Sequence, residues 1–155
     1  MATTSASLLG CGRMGGCHAQ VLKRLKANLY GVADLNRASA EEIVKSWISE
    51  ITPKVEITLE GLLDKSDPDL LIIATTAQDH AGAAIMAMTR GINFILLEKP
   101  VATSLLECHK LLEMSKKKGT RVAVNHQMRF LEQYTTPKAL LSSDAHGGFQ
   151  SMHVA

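Results

Sequence analysis

Three glycines near the N-terminus have the spacing of a phosphate-binding turn. Gly10, Gly12 and Gly15 form the pattern G-x-G-x-x-G, with Arg13 and Met14 between the last two glycines. In this pattern the first glycine permits a tight turn, the second lets the backbone approach a pyrophosphate, and the third allows close packing of helix on strand. Glycine-rich turns join strands to helices in many proteins, so the elements around this one decide what it indicates.

An acidic residue follows at the distance that dinucleotide binding requires. Asp34 comes directly after an apolar run at 29–33, and a carboxylate about 20 residues beyond the glycines can accept hydrogen bonds from ribose hydroxyls. It favours NAD, because a carboxylate repels the 2′-phosphate of NADP. Arg37 is close enough in sequence to contact that phosphate, so NADP stays open. The alternative role for Asp34 is to cap the next helix.

Short apolar runs alternate with segments of helical periodicity along most of the chain. This alternation predicts an α/β protein with a Rossmann-type doubly wound parallel sheet. Gly91 and Gly119 stand where helices are expected to end, and Val21, Leu22 and Leu25 mark one face of the first helix. The expected strands are residues 5–9, 29–33, 54–58, 69–74, 93–97 and 121–125.

The pattern changes after Asn125. We predict a dinucleotide-binding domain over residues 1–125 and, over residues 126–155, a linker helix and the first strand of a truncated second α/β domain. Residues 126–143 are typical of a turn and a helix, 144–148 of a loop, and 149–154 of a strand. An unpaired strand edge is a liability for a finished protein. The sequence is therefore expected to be a fragment or a naturally short form.

Composition limits the classes of protein to which the chain can belong. A chain of 155 residues, 46% of them hydrophobic, is long enough to bury a core that needs no disulfide or metal to stabilise it. Its net charge of +2 is scattered, which argues against a nucleic-acid partner. No apolar run approaches the roughly 18 residues of a membrane span. Cysteine and histidine are common metal ligands, but the adjacent pairs Cys17–His18 and Cys108–His109 fall on different predicted helices, which argues against a shared metal site. We expect a cytoplasmic protein without a membrane segment or a metal.

Four groups of residues follow one another in order between residues 10 and 130. They are the glycine motif with Asp34; Ala74, Thr75 and Thr76 followed by His80; Glu98, Lys99 and Pro100 after the fifth strand; and Asn125 and His126 with Arg129 and Phe130. Together they resemble the glucose-fructose oxidoreductase / inositol dehydrogenase family (Gfo/Idh/MocA) of nicotinamide enzymes. Glu98-Lys99-Pro100 is the most specific of the four groups.

The resemblance implies an NAD(P)-dependent oxidoreductase that transfers a hydride between nicotinamide and a small polar carbinol, such as a sugar or polyol. It places Lys99 beside the nicotinamide, where its amine would hold the substrate hydroxyl and donate to the oxygen on which charge develops. His126 is the second candidate catalytic residue. Cofactor contacts are expected from Gly10, Gly12, Arg13, Met14, Gly15, Asp34, Arg37, Ala74, Thr75, Thr76, His80, Glu98, Lys99 and Arg129.

Purely structural roles stay open for three of these residues: Lys99 as a solvated lysine, His80 as a packed histidine and Arg129 as a surface arginine. The resemblance also implies a second domain that supplies the general acid/base, most substrate contacts and any oligomeric interface. The chain alone could therefore be inactive. Two other functions are consistent with the sequence: a non-catalytic short form or regulatory partner that binds dinucleotide, and a structural remnant that binds none.

Overall fold

Six parallel strands form one sheet in a doubly wound order. A computed structural model of the chain describes residues 4–47, 51–143 and 151. The strands are β1 Ser5–Leu9, β2 Asn28–Ala33, β3 Lys54–Glu56, β4 Leu70–Ile73, β5 Phe94–Glu98 and β6 Arg121–Asn125. Their spatial order is β3-β2-β1-β4-β5-β6, and every neighbouring pair is parallel. The predicted Rossmann-type α/β class is confirmed.

Helices alternate with these strands and cover both faces of the sheet. They are α1 Arg13–Arg24, α2 Arg37–Lys45, α3 Leu59–Lys65, α4 Ala77–Thr89 and α5 Leu105–Lys118. Leu8 of β1 packs with α1, whereas its neighbour Leu9 belongs to the cluster that contains α4. Because successive side chains of a strand point to opposite faces, α1 and α4 lie on opposite sides of the sheet.

Glycine and serine residues mark the ends of two helices. Gly119 ends α5 with φ +72°, and Gly91 follows α4 with φ +86°, so both occupy the left-handed region that glycine tolerates best. Ser104 begins α5, because its hydroxyl accepts a hydrogen bond from the Glu107 amide. The expected helix ends at both glycines are confirmed.

The buried face of α1 differs from the predicted one. Val21 is 48% exposed, and Leu25, which follows the helix, is 71% exposed. The prediction was correct for Leu22 and wrong for these two residues. The helix begins at Arg13 and turns inward the i, i+3, i+4, i+7 set that starts at the third motif glycine. Its buried residues are Gly15, His18, Ala19 and Leu22.

Several predicted strand bounds differ from the observed ones by one or two residues, as in β3, β4 and β5. β3 ends at Glu56, because Thr58 caps α3 by accepting a hydrogen bond from the Gly61 amide. β4 begins after Asp69, whose carboxylate instead accepts bonds from the hydroxyl and amide of Ser5. Glu98, expected after the fifth strand, is its last residue.

The second unit, residues 126–155, is described by itself. A 3₁₀ helix at Gln127–Phe130 is followed by α6 at Glu132–Leu141, in line with the turn and helix predicted over 126–143. The predicted loop at 144–148 and, apart from Ser151, the predicted strand at 149–154 lie outside the described residues. Among the residues that are described, no helix is long and apolar enough to span a membrane.

Candidate nucleotide-binding site

The turn between β1 and α1 requires glycine at its first and last motif positions. Gly10 has φ +91°, and a Cβ atom there would lie 2.6 Å from the carbonyl oxygen of Ala74. A Cβ atom on Gly15 would collide with the carbonyl oxygen of Gly10. These two glycines therefore hold α1 tightly against the end of β1 and the start of the β4–α4 turn.

The middle glycine leaves open space in front of α1. A Cβ atom on Gly12 would meet nothing within 4 Å. Gly12 is the N-cap of α1, offers no side-chain cap, and no acidic residue occupies the first turn. The first amides of a helix lack partners within the helix and carry the positive end of its dipole. This opening therefore fits a phosphate group.

Asp34 lies directly beside the glycine turn. Its Oδ2 accepts a hydrogen bond of 2.6 Å from the Cys11 amide, and its Oδ1 accepts one of 2.8 Å from the Asn36 amide. The cap of α2 is supplied by Asn36, whose side chain accepts from the Ala38 amide. Asp34 therefore does not cap α2. Each carboxylate oxygen can accept a second hydrogen bond, so the half-buried group can also hold ribose hydroxyls.

The cationic and apolar residues near this turn are placed differently. Arg37 is exposed and its Nε atom donates to Glu41 Oε1 at 3.0 Å, one helical turn along α2. Arg13 is exposed and Met14 half-buried at the start of α1. Contact of these residues with a cofactor stays a prediction.

The β4–α4 turn forms the neighbouring wall. Ala74 is held by a hydrogen bond from its amide to the Leu9 carbonyl, 2.8 Å long. The hydroxyl of Thr75 is buried and has no hydrogen-bond partner among the residues that the structure describes. Thr76 is the N-cap of α4, and its hydroxyl donates to Asp79 at 2.7 Å. Thr75 therefore brings an unused polar atom to the turn beside Gly10.

His80 lies beneath this turn. It is 1% exposed, its Nδ1 lies 2.6 Å from the Pro100 carbonyl oxygen, and its Nε2 lies 3.2 Å from that of Thr75. Since a carbonyl oxygen only accepts, the ring donates through Nδ1 at the shorter distance. His80 thus lies between the two turns and is hydrogen-bonded to the one at Pro100, and its direct contact with a cofactor stays a prediction.

Glu98 is the centre of a buried polar cluster. Its Oε1 accepts hydrogen bonds from Nε2 of His18 at 2.8 Å and from the side-chain Nδ2 of Asn125 at 2.7 Å, and its Oε2 accepts from the Lys99 backbone amide at 3.3 Å. Burial acts to raise the pKa of Glu98, but these bonds and the His18 ring outweigh it and hold the pKa below the ordinary value of 4.5. Glu98 therefore stays ionised in the interior.

Sequence reasoning missed His18 as a member of the site. In the sequence, His18 stands beside Cys17 as a possible metal ligand, and the apolar residues of α1 indicate a different buried face. The available signal was its position three residues after Gly15, on the helix face that packs against the sheet.

Lys99 follows β5 with an exposed side chain, and its peptide bond to Pro100 is cis. The glycine turn, Asp34, Thr75 and Lys99 all follow parallel strands at their carboxyl ends, where ligands bind in doubly wound sheets. The first unit therefore brings most of the predicted site residues to one edge.

Two predicted residues lie in the second unit. His126 is exposed and precedes the 3₁₀ helix, and its carbonyl accepts a 3.0 Å hydrogen bond from the Arg129 amide. Arg129 is also exposed. Catalysis by His126 and cofactor binding by Arg129 stay predictions.

The fold and the turn together define a dinucleotide-binding Rossmann domain. Residues 5–126 match the sequence profile of the GFO_IDH_MocA family, whose description is an oxidoreductase family with an NAD-binding Rossmann fold. The chain belongs to the Gfo/Idh/MocA family, which confirms the resemblance seen in the sequence.

Relatives of known activity match nearly the whole chain. Glucose-6-phosphate 3-dehydrogenase of Bacillus subtilis is 28% identical over 148 residues, which cover 95% of this chain and 40% of that protein. Inositol 2-dehydrogenase of Salmonella typhimurium is 25% identical over 147 residues, which cover 91% and 42%. The crystal structure of GenD2 from gentamicin A biosynthesis, in complex with NAD, shares the fold with a TM-score of 0.84 at 22% identity, over 92% of this chain and 40% of that one. The chain thus spans about 40% of the length of these relatives.

Proposed function

We propose that this chain is the nucleotide-binding part of an NAD(P)-dependent oxidoreductase, with NAD as the preferred cofactor and a sugar, polyol or related carbinol as substrate. The observation that carries the proposal is the pairing of the open Gly12 position with Asp34, which binds the Cys11 amide of the same turn. This pairing supplies a place for an anion and a carboxylate acceptor on the same turn.

The binding roles follow from the geometry of each group. The first amides of α1 would donate to the pyrophosphate, and the missing side chain of Gly12 leaves room for it. The free lone pairs of Asp34 would accept from the ribose hydroxyls. The unpartnered hydroxyl of Thr75 offers a further polar contact beside Gly10.

The reactive end of the cofactor would lie near Lys99. When bound, the nicotinamide supplies the hydride acceptor or donor. The exposed Lys99 amine would donate a hydrogen bond to the substrate oxygen, which carries negative charge once its proton is removed for oxidation and gains negative charge when a hydride adds to a carbonyl. Activity of two relatives on a sugar phosphate and on inositol supports a carbinol substrate. This chain covers about 40% of the length of those relatives, so the substrate and its turnover are proposed for the whole protein and not for this chain alone.

Calorimetric titration with NAD and with NADP tests the cofactor site. Asp34→Asn keeps an oxygen that can accept from the Cys11 amide but removes the charge. We expect the wild type to prefer NAD and the variant to bind NAD about 10- to 100-fold more weakly, because a hydrogen bond to a charged group contributes about 1.5–3 kcal/mol. Its affinity for NADP should fall less, since the repulsion of the 2′-phosphate is removed.

Asp64→Asn is the matched control. Asp64 is an exposed aspartate near the end of α3 that pairs with Arg90, at the opposite edge of the sheet. It should titrate like the wild type. A folded wild-type chain that gives no binding heat with either cofactor would contradict the proposal.

A further inference from the structure

Buried histidines hold the turn that carries Lys99 from both sides. On one side, Glu98 accepts from His18 at 2.8 Å and, through its other oxygen, from the Lys99 amide at 3.3 Å. On the other side, the carbonyl of Pro100 accepts from Nδ1 of His80 at 2.6 Å. Each histidine therefore binds a residue that is adjacent to Lys99 in the sequence.

The two histidines reach this turn from opposite faces of the sheet. His18 lies on α1 and is 8% exposed, and His80 lies on α4 and is 1% exposed. Lys99 itself is exposed. Its neighbours are thus fixed to two separate helices while its amine stays open to a ligand.

Packing alone does not account for histidine at these positions. The other buried residues of α1 are Gly15, Ala19 and Leu22, and those of α4 are alanines and Met88. Both helices otherwise bury small or apolar side chains. A buried imidazole loses its hydrogen bonds to water and needs hydrogen bonds within the protein to replace them. Both rings make such bonds to the residues that flank Lys99.

We propose that His18 and His80 are positioning residues for Lys99, which aim its side chain at the nicotinamide and the substrate oxygen. The inference rests on the proposed function. A lysine side chain has many rotamers, so the position of its amine depends on how firmly its backbone is held. A displacement of about 1 Å at a reacting centre is enough to cost rate.

The NMR signal of the Lys99 amine tests this role directly. Lysines are dimethylated with ¹³C, and Lys99→Arg assigns the signal of interest. The chain is titrated with NAD and with ADP-ribose, which lacks the nicotinamide. In the wild type, we expect NAD to shift the Lys99 signal and ADP-ribose to leave it nearly unchanged.

Leucine variants of the two histidines separate positioning from folding. We expect His18→Leu to bind ADP-ribose within about twofold of the wild type, and the NAD-induced shift of Lys99 to fall by half or more in both His18→Leu and His80→Leu. His18→Gln, whose amide can donate to Glu98, should restore most of the shift. His109→Leu, which changes an exposed histidine of α5, should respond like the wild type.

Other outcomes overturn the inference in distinguishable ways. Equal loss of ADP-ribose and NAD binding in the leucine variants would leave His18 and His80 a merely structural role. A full NAD-induced shift in those variants would also refute positioning. A wild type that binds neither ligand would remove the proposed function and this inference with it.

A measurement on the wild type covers variants that fail to fold. The backbone amide of Lys99 should be as rigid as a strand, with an order parameter of about 0.85. A value below about 0.6 would show that the turn is not held, whatever the variants do.

Discussion

At the residue scale, the three motif glycines do different work. Gly10 and Gly15 are required because a side chain at either would meet backbone atoms. Gly12 is required by no contact within the described residues, since a Cβ atom there meets nothing within 4 Å. The open space at Gly12 is what the proposed phosphate site requires.

This difference predicts that Gly12→Ser separates stability from binding. Serine is a favoured N-cap, and its hydroxyl would accept from the same first-turn amides that a phosphate would use. We expect the free energy of unfolding to stay equal or rise by a few tenths of a kcal/mol. Affinity for NAD should fall about tenfold or more, measured by calorimetry.

Gly15→Ala is the opposite case and serves as its comparison. The added methyl group would collide with the Gly10 carbonyl, so the unfolding free energy should fall by about 1–3 kcal/mol or more. If Gly12→Ser destabilised the chain as much as Gly15→Ala, the assignment of open space at Gly12 would be wrong.

The cysteines predict a selective chemical modification. Burial, with the Asp34 charge adding to it, raises the pKa of Cys11 to about 12, so its thiol stays protonated and unreactive at pH 8. Cys17 is exposed. We expect iodoacetamide to alkylate Cys17 in the folded chain and to spare Cys11, as read by peptide mass spectrometry. Urea should abolish the difference, and alkylation of Cys11 at the rate of Cys17 in the folded chain would contradict it.

At the element scale, the apolar periodicity predicted the strands well and the glycines predicted where helices end. β1 and β6 have the predicted bounds, and α5 ends at Gly119. The face of α1 could not be predicted from Val21 and Leu25, because the packing that buries Gly15 determines which residues point inward. α3 was not predicted individually, since seven residues give too short a periodic pattern.

Two glycine substitutions should change helix stability in opposite directions. Gly119→Ala forces a Cβ atom into the left-handed conformation and should lower the unfolding free energy by about 1–2 kcal/mol. Gly82→Ala, inside α4 and facing open space, should raise it by about 0.5–1 kcal/mol. Urea denaturation measures both changes.

Gly119→Asn is the conservative variant at the helix end. Asparagine tolerates the left-handed region, so its cost should be smaller than that of alanine. Equal costs for Asn and Ala would show that φ at this position does not control the end of α5.

At the scale of the whole molecule, the sheet topology explains why the site residues were predictable from the sequence. The buried residues that hold them in place were not. Parallel strands bring Gly10, Asp34, Thr75 and Lys99 to one edge, so these motifs could be located from strand order. The bond between His18 and Glu98 joins residues 80 positions apart on a helix and a strand. No local pattern encodes that contact, because it depends on where α1 lies on the sheet relative to the end of β5.

The same contact predicts how stability responds to acid. The pKa of Glu98 is lower in the folded chain than its ordinary 4.5, so the unfolded state binds more protons. The contribution of Glu98 is complete above about pH 4.5 and is lost as the pH falls through the folded pKa. We expect urea denaturation to give a smaller decrease between pH 5 and pH 3 for Glu98→Gln than for the wild type.

At pH 7 the same variant should be less stable than the wild type by about 1.5–3 kcal/mol, because charged hydrogen bonds are lost. Glu113→Gln, which changes an exposed glutamate of α5, should reproduce the wild-type pH profile. A profile of Glu98→Gln as steep as that of the wild type would place the acid sensitivity elsewhere.

The two hydrogen bonds of Asp34 constrain how this chain could change its cofactor preference. A mutation to alanine or glycine at Asp34 would admit a 2′-phosphate, but it would also leave the amides of Cys11 and Asn36 without their acceptor. Selection for NADP should therefore retain an oxygen-bearing side chain at Asp34 and act first on its neighbours Leu35 and Arg37. A directed-evolution library over these three positions would record that order of substitutions.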